Sequence, residues 1–65
     1  MLRRDLLENL PNIPKRGLLR RLILQAPKEG FASWIEIAMD KEEIEIPWDF
    51  WRMMLDFEHD IEEKR

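Results

Sequence analysis

With 65 residues and no cysteine, the chain has room for a single domain over residues 1–65 and one modest core, and it cannot hold disulfides or thiolate zinc sites. Its net charge of −3 is unevenly spread: residues 1–30 carry seven Lys/Arg against three acids, and residues 31–65 carry four against eleven. A basic half joined to an acidic half points to interaction rather than catalysis.

The first predicted helix is Leu2–Leu10, in which Leu2, Leu6, Leu7 and Leu10 share one face at helical spacing. Pro11 disfavours α geometry at Leu10 and should end it there. Leu10–Pro14 then forms a stiff connector, with Asn12 placed to cap the next helix and Pro14 suited to its first turn.

Lys15–Ala26 reads in two ways. As a helix, Leu18, Leu19, Leu22, Ile23 and Ala26 form an apolar face, with Lys15, Arg16, Arg20 and Arg21 largely outside it. As a strand, Leu22 and Leu24 alternate with Ile23 and Gln25, and Pro27–Gly30 is a hairpin turn. Leu and Arg are good helix formers and strand-favouring residues are few, which favours the helix.

A hairpin is expected next. Ile35, Ile37 and Met39 alternate with Trp34, Glu36 and Ala38, Asp40–Glu43 is a polar turn, and Ile44-Glu45-Ile46 alternates again. Two strands are not stable alone, so the isoleucine face must lie on helices. Pro47–Glu63 is the last helix, opened by Pro47 with Asp49 in its first turn. Phe50, Met54, Phe57 and Ile61 form its apolar stripe, broadened by Trp51 and Leu55. The expected fold class is therefore α+β: two N-terminal helices, a β-hairpin and a C-terminal helix around an aromatic core.

Groups that carry chemistry are scarce. There is no Cys, Thr or Tyr, and Ser33 and His59 are single. Their separation gives no nucleophile–base motif, so no catalytic residue is assigned and the chain is not expected to be an enzyme. Asp56, His59, Asp60 and Glu63 share a helix face, but di-metal carboxylate bundles draw ligands from several helices. A solvated acidic face is the expected reading, with no metal and no cofactor. Asp40, Glu42 and Glu43 lack the spacing and the central glycine of a calcium loop. Gly17 and Gly30 are isolated: Gly30 suits a left-handed turn position, and Gly17 falls in a first helical turn.

The apolar runs reach three residues, far short of the roughly 20 that span a bilayer, and MLRRDLLENL lacks a signal-peptide core. A cytoplasmic protein with no membrane partner and no small-molecule substrate is expected. Many charged residues with few amides and no Cys match the compositional habit of hyperthermophile proteins, although four Met run against it.

The order helix 2–10, turn 11–14, basic helix 15–26 and hairpin 33–46 resembles a reduced winged helix-turn-helix domain. The resemblance implies a regulatory, DNA-binding role. In that family the second helix of the pair enters the major groove and the wing touches the backbone. Carried over, Lys15, Arg16, Arg20 and Arg21 face duplex DNA, with Lys41 at the wing tip. The wing tip is net negative, and helix 47–63 must replace the helix that usually precedes the pair. The alternative is a protein–protein interaction or self-associating (homodimeric) module whose halves offer opposite charges.

Overall fold

The computed structural model describes residues 2–63, with side chains as far as His59. Helix α1 spans Arg3–Glu8 and is closed at both ends by its own residues. The Asp5 carboxylate accepts the Leu2 N–H at 3.0 Å, and the Asn9 side-chain amide donates to the Asp5 carbonyl at 2.7 Å. That competition for a backbone carbonyl accompanies a helix end two residues before Leu10.

Helix α2 spans Arg16–Gln25. Its buried residues Leu19, Leu22, Ile23 and the following Ala26 repeat at helical spacing, whereas Leu24, which a strand would bury with Leu22, is half exposed. The capping expectation is not met. Lys15, in the left-handed region at φ 57°, precedes the first turn, and no side chain caps it. Asn12 and Pro14 lie in the connector, while Gly17 is in the first turn.

The expected hairpin is replaced by helix α3, Phe31–Lys41, followed by an extended segment. Among the described residues there is no strand, and the fold is all-helical rather than α+β. The physical reason lies in the two residues before the alternating run. Phe31 and Ala32 join Ile35 and Met39 in one buried helical stripe, and Ile37, the middle residue of the supposed strand face, is 60% exposed. A strand would have buried Phe31 and Ile37 with Ile35 and Met39 while turning Ala32 away.

The Asp40–Glu43 turn is the C-terminus of α3. Glu43 N–H bonds to the Asp40 carbonyl (2.9 Å) and Ile44 N–H to the Met39 carbonyl (3.1 Å), the paired bonds of a Schellman motif. Glu43 occupies the left-handed position at φ 60° that glycine usually takes. The alternation of Ile44-Glu45-Ile46 is real, since both Ile are partly buried and Glu45 is exposed, but it runs along a connector and not a ladder.

Helix α4, Trp48–Glu63, carries the expected stripe: Phe50, Met54 and Phe57 are buried, with Trp51 and Leu55 packed beside them. The side chain of Ile61 lies outside the described residues. Each helix packs on its chain neighbours, and α4 returns to α1, closing a cycle of four around the shared core.

Two side chains from the outer helices finish the inner ones. Arg3 of α1 donates through Nη1 to the carbonyls of Ile23 and Ala26 at the C-terminus of α2. The same guanidinium lies 5.5 Å from the ring centroids of both Phe31 and Phe57. Those rings pack at 4.8 Å with a 58° tilt, so one arginine ties α1 to all three other helices. From α4, the Glu58 carboxylate accepts the Ala32 N–H at 3.0 Å, which places an acid at the positive end of α3.

Candidate interaction surface

A groove of about 360 Å³ opens between the outer face of α3, the 42–47 connector and the first turn of α4. Glu36 and Asp40 supply one wall, one helical turn apart. Ile44 and Ile46 enter from the connector with Glu45, and Trp48 and Trp51 come from α4. Trp48 is 65% exposed although it is large and apolar, and Trp34 and Ile37 on α3 are also exposed. No lining residue is basic. Like charges at i, i+4 cost a few tenths of a kcal/mol in a helix, so the Glu36–Asp40 pair is a small standing cost that a cation would relieve.

Opposite in character is the outer face of α2. Arg16, Arg20 and Arg21 are exposed, and no acid occurs between Glu8 and Glu29. Among the described residues these arginines pair with no carboxylate; Lys15 does, with Glu42 beyond the end of α3. That pair is between side chains 56% and 38% exposed, a class worth at most about 1 kcal/mol. Leu24 lies one turn beyond Arg20 and is 50% exposed.

The expected DNA-facing set is thus divided. Arg16, Arg20 and Arg21 share a face, Lys15 is engaged with Glu42, and Lys41 is in the last turn of α3. With no hairpin there is no wing tip for Lys41 to occupy. Ser33 and His59 are both exposed, on α3 and α4, and no hydrogen bond joins them among the described residues. Among those residues no three His, Cys, Asp or Glu side chains are grouped to hold a metal ion. The side chains of Asp60 and Glu63, two of the four on the expected acidic face, lie outside them.

Sequence reasoning missed the groove because it assigned Glu36 and Asp40 to a strand and a turn, where they do not share a face. The signal present was the i, i+4 acid spacing itself, followed by four more acids and the two tryptophans Trp48 and Trp51 before residue 52. Among the described residues no helix is long and apolar enough to cross a membrane. No family model, curated protein or solved structure matches the chain.

Proposed function

We propose that the protein is a cytoplasmic, non-catalytic interaction module whose acidic, tryptophan-lined groove receives a basic, amphipathic helix of a protein partner. The observation that carries this reading is the juxtaposition of Glu36, Asp40 and Glu45 with exposed Trp48 and partly buried Trp51 in one groove. Tryptophan and arginine are the side chains that most often carry interface energy, and the groove supplies the first and the charge complement of the second. A helix in a groove is read through anchors spaced a turn apart, which matches the one-turn spacing of the two carboxylates.

The test uses the isotope-labelled protein and a synthetic helical peptide with two arginines at i, i+4 and a leucine one turn further. The indole N–H signals of Trp48 and Trp51 should shift on titration, and raising salt from about 20 to 500 mM should weaken binding roughly tenfold. Glu36→Gln with Asp40→Gln should weaken it by a similar factor. Unmoved indole signals at millimolar peptide in low salt would exclude the groove as a binding site.

A second reading, duplex DNA bound through α2, is supported by the exposed Arg16, Arg20 and Arg21 on an acid-free stretch. Its test is a low-salt titration with duplex DNA. Neutralising the three arginines should abolish binding with helicity retained, and each lost phosphate contact should reduce the salt slope of log K by about one. No shift with any duplex at low salt removes this reading.

A further inference from the structure

We infer that the groove's occupant is the α2 face of a second copy of this chain, so that the protein assembles head to tail through two different surfaces. The inference rests on the reading of the groove as an interaction surface. Its first support is charge: the groove holds three carboxylates and no base, and the α2 face holds three arginines on a stretch without an acid. Its second is register. Arg16, Arg20 and Leu24 follow one another at single-turn steps, and so do Glu36 and Asp40, with the apolar Ile44 beyond them. Two arginines can therefore face two carboxylates at the same pitch while Leu24, half exposed, meets the floor of Ile44, Ile46 and Trp48.

The third support is that, among the described residues, no ion pair joins Arg16, Arg20 or Arg21 to a carboxylate of the same chain. Helix α2 packs on α1 and α3 but not on α4, and Lys15 at its start pairs with Glu42 rather than with a carboxylate of the groove. A contact between two different patches is heterologous, so it propagates: it yields rings if the rotation closes and open chains if it does not.

The experiment is sedimentation equilibrium on three proteins: the native chain, a basic-face variant (Arg20→Glu with Arg21→Glu) and a groove variant (Glu36→Arg with Asp40→Arg). In about 20 mM salt the native mass should rise with concentration above that of one chain, and in about 500 mM salt it should return towards one chain. Each variant alone should remain at the one-chain mass. Mixed, they retain one intact groove and one intact basic face between them, and their reversed patches are complementary in charge as well, so the mixture should rise above the one-chain mass although neither variant does so alone.

Circular dichroism checks that each variant keeps its helicity, and Gln in place of Glu or Arg provides milder versions if it does not. A native protein that holds the one-chain mass at millimolar concentration in low salt overturns the inference, as does a variant mixture that fails to pair. If the native chain stays at the one-chain mass while its Trp48 and Trp51 signals still respond to the arginine peptide, self-association falls and the interaction module stands. If neither responds, both fall.

Discussion

At the scale of single residues, charge has been used for construction as much as for display. Arg3 counts towards the basic half of the sequence, yet its guanidinium is committed to two α2 carbonyls and two aromatic rings. Hydrogen bonds involving a charged group contribute about 1.5–3 kcal/mol, and a cation over a ring adds roughly 0.5–1. Arg3→Met should therefore destabilise the fold by about 2–3 kcal/mol in urea unfolding, and exposed Arg4→Met by less than about 0.5. Equal effects at the two positions would remove Arg3 from its structural role. Glu43 presents the opposite case, a side chain where the backbone prefers none. A left-handed non-glycine residue costs about 1–2 kcal/mol, part of which glycine returns through its freer unfolded state. Glu43→Gly should stabilise by about 1 kcal/mol and raise the melting temperature by about 4–8 °C. A lower melting point would mean that the Glu43 side chain makes an interaction worth more than that strain.

At the scale of elements, α1 and α4 were legible because their apolar residues repeat at helical spacing over two turns or more, whereas α2 also read as a strand and was favoured as a helix by its Leu and Arg content. The α3 segment was misread because Ser33–Met39 fits both periods: Ile35 and Met39 are two turn-neighbours of a helix and also alternate members of a strand. Phe31 and Ala32 break that tie, since adjacent residues both buried fit a helical stripe and not a half-buried strand. The contacts that fix α3 were beyond reach for another reason. Glu58 lies 26 residues from Ala32, and Arg3 lies 20 and 23 residues from its acceptors, so no local pattern announces them. Of the candidate site, the three arginines of α2 could be read from the sequence, but the groove could not be until α3 was known to be a helix. The register has a direct check by substitution. Ile35→Ala should cost about 2–5 kcal/mol as a core truncation, whereas Ile37→Lys should change stability by no more than about 0.5. The reverse order would restore the strand.

At the scale of the whole molecule, most packing joins helices adjacent in the chain, and one long-range closure, α4 on α1, completes the cycle. Helical domains dominated by local contacts fold in microseconds to milliseconds. The main refolding phase should finish within about 10 ms, with only minor slow phases from the four prolines. A dominant phase of seconds in stopped-flow fluorescence would contradict that topology. Two exits from the cycle matter more than its speed. The carbonyls that end α2 and the amide that begins α3 are held by side chains borrowed from α1 and α4, so the interior of the chain depends on its flanks. Neither flank is expendable: a protease that trimmed the segment bearing Arg3, or cut α4 ahead of Glu58, would leave intact the sequence of both inner helices and yet unlatch them. Damage at the edges of such a fold is felt first at its centre.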